Sequence, residues 1–295
     1  MMASRQLLKM SVLVGICAVM AAPASAVTYP GYVLQDDNST VAVNFAGYGV
    51  EVWTVNGVPH LGGYGDETLQ WFWYRMGTTG PEQQVNPTNL TFDAGASQPT
   101  DRDGDGGFDT AYLLYHDAGG LFDVEITVTL DGGPAGSEQG DLAEQVTVTN
   151  TSADESLDLH FFEYADFDLG GTPNNDEVVY IGQAVDDVDE VMVAKQLDDA
   201  YMLVASDVSS PALGHVEANI GGALRGKLDD ANPDDLDDTA TADGDVEWAG
   251  QWNVELGPGD AFQLSKDKMI TPEPATLALM GSGAVLVFFL RRRRR

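Results

Sequence analysis

Apolar residues recur at every second position through most of this chain. A period of two is the spacing of side chains that share one face of a β-strand. Residues 40–45 (TVAVNF), 48–55 (YGVEVWTV), 122–130 (FDVEITVTL) and 142–150 (LAEQVTVTN) alternate in this way. Asn56-Gly57 joins 48–55 to the next run at 58–61, and that dipeptide is a strong signal for a type I′ hairpin turn. Residues 69–76 (LQWFWYRM) are rich in aromatics and read as a strand buried on both faces. Further strands are expected over 111–116, 157–169, 178–181, 189–193, 201–205, 215–220, 246–256 and 261–264. Gly-rich 131–140 and Gly257-Pro258-Gly259-Asp260 read as turns, and helix is confined to one short candidate at 222–228. Many short strands parted by Gly, Asn and Asp predict an all-β fold, a single antiparallel β-sandwich over residues 27–270.

Such a fold needs a core, and here it must come from aromatic and β-branched side chains. The one cysteine, Cys17, lies in the leader described below, which rules out disulfides, thiolate nucleophiles and cysteine metal sites in the body. Trp53, Trp71, Trp73, Trp248 and Trp252 are the expected large core or cleft residues. Trp71 and Trp73 share one strand face, as do Trp248 and Trp252. Packing is the plainer reading of both pairs, whereas exposed rings would favour sugar binding.

The two ends read as addresses rather than as parts of the fold. Arg5 and Lys9 precede an apolar stretch at 10–22, and Ala24-Ser25-Ala26 then forms an A-x-A site, with Ala24 and Ala26 as the small cleavage residues. This is a secretory signal peptide over 1–26, which implies the Sec translocon and signal peptidase as partners. At the other end stand Pro272-Glu273-Pro274, sixteen uncharged residues at 275–290, and Arg291, Arg292, Arg293, Arg294 and Arg295. The prolines disfavour helix just upstream, so a helix begins near Ala275. Sixteen residues give about 24 Å of helix against a bilayer core of about 30 Å, and arginines that snorkel make up part of the deficit. Their charge orients the segment with the arginines in the cytoplasm and the body outside.

This order resembles the PEP-CTERM sorting signal of Gram-negative bacteria, with Pro272, Glu273 and Pro274 as the motif and 271–295 as its extent. The resemblance implies processing by an exosortase, a membrane-embedded cysteine transpeptidase. It also implies residence in the membrane before processing, then at the cell surface or in an exopolysaccharide matrix of the kind found in biofilms. A plain membrane anchor is the other reading of an apolar tail, but an anchor needs no Pro-Glu-Pro.

Between the ends, 244 residues carry seven basic and 46 acidic side chains, a net charge of about −39. Such a body repels nucleic acid and anionic lipid. It suits divalent cations, a saline medium, or simply solubility.

Three stretches could carry chemistry. Asp101, Asp103, Asp105 and Asp109 lie in DRDGDGGFD with Gly106 at the sharp-turn position and Gly107 offering its carbonyl. Short carboxylates at alternate positions can converge on one hard cation, so the loop is a candidate Ca²⁺ site; a solvated acidic turn is the alternative. Tyr112 stands where an EF-hand carries its bidentate Glu, and the flanks read as strand, so the likeness is to Asp-x-Asp-x-Asp-Gly loops of extracellular β-proteins. In LDLHFFEYADFDL (157–169), Asp158, His160, Phe162, Tyr164, Asp166 and Asp168 share one strand face; Leu159, Phe161, Glu163, Ala165 and Phe167 share the other. Asp158 with His160, or Glu163 with a cross-strand partner, could do acid–base work, against a strand with one polar face and a hydrogen-bonded histidine. DDANPDDLDDTATADGD (229–245) reads as a solvated, mobile loop, and 186–190 as a smaller version.

His60, His116, His160 and His215 are scattered and form no transition-metal motif; nucleotide loops and a Gly-x-Ser-x-Gly elbow are also missing. Residues 144–170 resemble strands of carbohydrate-active supersandwich proteins, which implies a sandwich and hints at a glycan ligand. The expected function is an exported, non-catalytic interaction module, with polysaccharide as the partner in view. A glycan hydrolase or epimerase, and a purely structural matrix protein, are the alternatives.

Overall fold

The structure is a computed structural model that describes residues 31–45, 47, 49–62, 69–174, 176–181, 192–198, 203–211 and 213–272. The signal peptide with Ala24 and Ala26, Glu273 and Pro274, the apolar run, Arg291–Arg295 and the acidic stretch 186–190 lie outside the described residues.

The first eight strands are β1 (Gly31–Asp36), β2 (Ser39–Asn44), β3 (Gly49–Val55), β4 (Val58–Leu61), β5 (Gln70–Met76), β6 (Gln83–Gln84), β7 (Thr91–Phe92) and β8 (Gln98–Thr100). Four longer ones follow: β9 (Thr110–His116), β10 (Phe122–Gly132), β11 (Gly140–Asn150) and β12 (Leu157–Ala165). A 3₁₀ turn at Leu169–Gly171 leads to β13 (Asp176–Ile181), β14 (Met192–Asp198), β15 (Leu203–Ser210) and β16 (His215–Ile220). Helix α1 (Ala223–Leu228), β17 (Thr241–Gly244), β18 (Val246–Leu256) and β19 (Ala261–Pro272) complete the order.

The expected all-β sandwich is what forms. One sheet runs β1-β2-β3-β5-β12-β18-β16, with β4 beside β3 and β6 beside β5. The other runs β17-β13-β14-β15-β19-β11-β10-β9-β7, with β8 beside β9. Pairing is antiparallel except for a short parallel contact between β3 and β5. The Asn56-Gly57 turn takes positive φ at both residues, 52° and 76°, as a type I′ hairpin requires.

The period-two pattern converts directly into burial. Leu159, Phe161, Glu163 and Ala165 of β12 are buried, and Phe161 and Glu163 meet the inner face of β19 across the sandwich. Phe72 stacks on Phe161 at 5.6 Å between neighbouring strands, and Phe161 meets Phe262 of the opposite sheet edge-on at 6.1 Å. Trp248 stacks on Phe167 at 5.2 Å, and Trp53 closes the same corner at 5.9 Å from Phe167. All five tryptophans are at most 2% exposed, so packing is their role.

The short strands β6, β7, β8 and β17 are not among those expected, and β14 and β15 run on to Asp198 and Ser210 beyond the expected 189–193 and 201–205. Three further elements differ. β1 forms although its sequence, GYVLQD, carries one buried residue, Leu34, and no clear alternation. β12 ends at Ala165, because the 3₁₀ turn with Gly170 at φ 69° follows soon after. β19 runs to Pro272 instead of stopping at Leu264. Its alternation continues through Lys266 and Lys268, which point inward like Phe262, Leu264 and Ile270.

Candidate functional site

The Asp-rich loop joins β8 to β9, so its flanks are strands, closed by Thr100 opposite Thr110. Gly104 and Gly106, at φ 83° and 101°, let the chain fold back so that side-chain oxygens meet backbone amides. Asp101 accepts from the amides of Gly104 and Gly106 at 2.6 and 3.1 Å. Asp103 and Asp105 each accept from the amide two residues on, Asp105 and Gly107, at 3.0 and 2.7 Å. Asp109 is 3% exposed and accepts from the amides of Arg102 and Asp103 and from the Thr110 hydroxyl. Burial would raise the Asp109 carboxyl, but these donors hold it below the usual carboxylate range.

The carboxylates form two overlapping groups. Oxygens of Asp101, Asp103 and Asp109 lie within 4.8 Å of one another, and so do those of Asp36, Asp103 and Asp105. Gly107 packs against the Gln35 carbonyl, where an added Cβ would sit 2.8 Å away, which brings the loop to the end of β1. Asp36 is the partner that sequence could not supply, because β1 carried no readable signal. Burial and the charges of Asp131, Asp37 and Asp103 raise its carboxyl despite the Gly132 amide. The donor set is all oxygen, which fits a hard cation such as Ca²⁺.

The outer face of the first sheet is covered over β5, β12 and β18. Trp71, Trp73 and Arg75 of β5 share it with His160, Phe162 and Tyr164 of β12 and Gln251 of β18. The first part of the acidic segment, 229–236, is docked there, and 241–244 form β17 at the edge of the other sheet. Arg75, 3% exposed, reaches the Asp234 carbonyl at 2.7 Å and Asp235 Oδ1 at 2.8 Å, and also binds Glu82. Its Nη2 lies 3.1 Å from His160 Nδ1, and its guanidinium sits over the Phe162 ring at 5.6 Å. Gln251 donates to Asp235 Oδ1 at 2.7 Å and accepts from the Leu236 amide at 2.9 Å, while Leu236 is buried. The Trp73 indole donates to Asp229 Oδ1 at 3.1 Å. The residues that docked it, Arg75 and Gln251, were legible only as strand residues. His160 Nδ1 thus has a partner in Arg75, and Asp158 Oδ1 stands 3.6 Å from Nε2.

Where β12 ends, Asp166, Asp168 and Asp245 bring carboxylate oxygens within 4.8 Å of one another. Burial, then Asp168, Glu247 and Asp245, push Asp166 up to about 8. Burial and Asp245 push Asp168 up to about 6. Nearby Asp176 rises to about 8 through burial and Asp198.

Between the sheets lies an ionic cluster that the sequence reading reached only at Glu163. Lys266 and Lys268 of β19, Glu144 of β11 and Asp207 and Ser209 of β15 meet Glu163 of β12, all at most 4% exposed. Lys266 binds Glu163, Ser209 Oγ at 2.7 Å and Asp207 Oδ2 at 3.0 Å. Lys268 binds Glu144 and lies 2.6 Å from Glu163 Oε1. Gln70 donates to Glu144 Oε2 at 3.1 Å, and the Lys266 ammonium is 5.5 Å from the Trp252 ring centre. A signal was present: two of the seven basic residues of the body fall on inward positions of one alternating strand. Burial and then Asp207 push Glu163 up to about 7, with the lysines opposing. Burial would lower Lys268, but Asp207, Glu144 and Glu163 together raise it.

The sorting motif begins inside the fold. Pro272 is the last residue of β19 and pairs with Leu203, so its missing N–H falls at a strand end, where it costs least. Among the described residues no helix is long and apolar enough to cross a membrane.

Comparison with known proteins places the tail in a class: the model of the PEP-CTERM protein-sorting motif matches residues 271–295. The chain is thus an all-β body carrying a sorting signal of that type at its C-terminal end. No curated protein matches the sequence. Among solved structures, a putative aldose 1-epimerase from Escherichia coli K12 aligns at 12% identity and a TM-score of 0.47, covering 81% of this chain and 98% of the other. A polysaccharide lyase aligns at 14% identity and 0.45, covering 80% of this chain and 33% of its own. A GH36 α-galactosidase from Geobacillus stearothermophilus gives 10% and 0.38, with 82% and 40% covered. All three scores are low, and no role is carried over from these proteins.

Proposed function

We propose that this is an exported cell-surface or exopolysaccharide-matrix protein, released or re-attached by an exosortase, whose sandwich body works by interaction and not by catalysis. The observation that carries the reading is the sorting motif at 271–295, continuous with the last strand of a folded body. Polysaccharide is the partner class in view. With every tryptophan buried, contact with it would run through polar surface and not through stacked indoles. We further propose that Ca²⁺ is held at the β8–β9 loop by Asp101, Asp103, Asp105 and Asp109, with the Gly107 carbonyl, and pins that loop against β1. The two carboxylate groups around Asp103 support this part of the reading.

The test is processing in the producing cell. Changing Pro272, Glu273 and Pro274 to alanine is expected to leave the chain unprocessed and in the membrane fraction. Normal maturation and release of that variant would sink the sorting reading.

A further inference from the structure

We infer that Lys266 and Glu163 are poised to form an amide bond across the sandwich, joining β19 of one sheet to β12 of the other. Their side chains meet in the interior, Lys266 4% and Glu163 1% exposed. Glu163, Tyr180, Asp207, Ser209, Trp248 and Lys266 line a narrow, largely enclosed gap.

An ammonium and a carboxylate in water do not condense, because hydration stabilises both ions. Burial removes that hydration and shifts the balance toward neutral forms. The cluster also holds three carboxyl groups, Glu144, Glu163 and Asp207, against two lysines, so one acid can keep its proton without leaving a cation unpaired. Glu163, raised to about 7, is the acid placed to keep it. Asp207 is held low, because Lys266 and Lys268 outweigh the effect of its burial.

Each neighbour has a role in the step. Asp207 Oδ2, 3.0 Å from Lys266 Nζ, takes a proton from the amine, and Ser209 Oγ at 2.7 Å accepts a hydrogen bond that aims it. Lys266 Nζ then attacks Glu163 Cδ. Negative charge develops on Glu163 Oε1, where the Lys268 ammonium stands at 2.6 Å to stabilise it. Oε2 already carries the acid proton of Glu163. Asp207 returns its proton there, the C–O bond breaks with water as the leaving group, and Asp207 then takes the second proton from nitrogen. Acid, ammonium and Asp207 carboxylate thus become amide, water and protonated Asp207. Nothing is oxidised or reduced, and no further reactant is consumed. Fixed proximity in a buried interior supplies what such a condensation lacks in solution. The bond would serve a body without cysteine as an inter-sheet tie.

The experiment is peptide mapping by mass spectrometry of the purified full chain after denaturation and proteolysis. The segments containing Glu163 and Lys266 are expected as one branched species, lighter than the two together by one water. Lys266→Arg and Asp207→Asn chains that fold, as judged by near-UV circular dichroism, are expected to yield the two segments separately. The inference is overturned if the wild-type chain gives both segments separate and unmodified. It is equally overturned if a branched species maps to Lys268 and Glu144. The wild-type result decides the matter even where a variant does not fold.

Discussion

At the scale of single residues, Asp103 is the pivot of the acidic loop, because it belongs to both carboxylate groups. Calorimetric titration of the purified chain with Ca²⁺ is expected to show stoichiometric binding with an affinity of about 10⁻⁴–10⁻³ M, typical of extracellular modules. Binding should also raise the melting temperature. Asp103→Asn with Asp105→Asn should abolish both effects. Absence of binding at millimolar Ca²⁺ would reduce the loop to a turn built on Asx hydrogen bonds. Four of the five carboxylates were legible, because alternating Asp with Gly at the turn is a local pattern. Asp36 was not, since its place depends on how β1 lies against the loop. Lys266 and Lys268 show the opposite failure. The residues were in plain view, but a charged pair at the end of a strand normally signals exit to solvent, and only the complementary acids on β11, β12 and β15 make an inward course tolerable.

At the scale of elements, the segment 229–245 is mostly exposed, as its charge suggests, yet it is held in place. A few contacts decide this: Leu236 is buried, and Arg75 binds the Asp234 carbonyl and the Asp235 side chain. Arg75→Ala removes the cation from among Glu82, Asp235 and His160, and such buried-pair losses cost about 3–5 kcal/mol. The expected result is faster amide hydrogen exchange across 229–240, with β10 and β11 unchanged. Exchange that is unaltered over 229–240 would show that Leu236 and Gln251 hold the segment without Arg75. Strands with clear alternation, such as β10, β11, β16 and β18, were readable almost to the residue, because one face is apolar and the other polar. Strand order was not, since β5-β12-β18 and β15-β19-β11 bring together segments far apart in the chain.

At the scale of the molecule, the excess of acid becomes a pH dependence. Asp166 and Asp176 stand at about 8, Asp141 at about 7 through burial and Asp267, and Asp168 at about 6. In the folded chain each keeps its proton at a pH where the unfolded chain has released it near 4. The folded state therefore binds more protons through the window from about pH 4 to pH 8, and stability falls as pH rises through it. Each group contributes up to about 1.4 kcal/mol per pH unit across its own window, so a clear loss of stability is expected between pH 5 and pH 8. Denaturant midpoints across that range measure it, and a midpoint that climbs toward pH 8 would contradict these assignments. The position of β19 has a mechanical consequence as well. Its Pro272 end leads straight into the sorting signal, and it pairs with β11 over 261–270 and with β15 over 265–272. A pull from the membrane side acts along that strand, so both hydrogen-bonded ladders bear the load in shear. They must yield together, not one rung at a time, which makes the tethered end the mechanically strong end of the body.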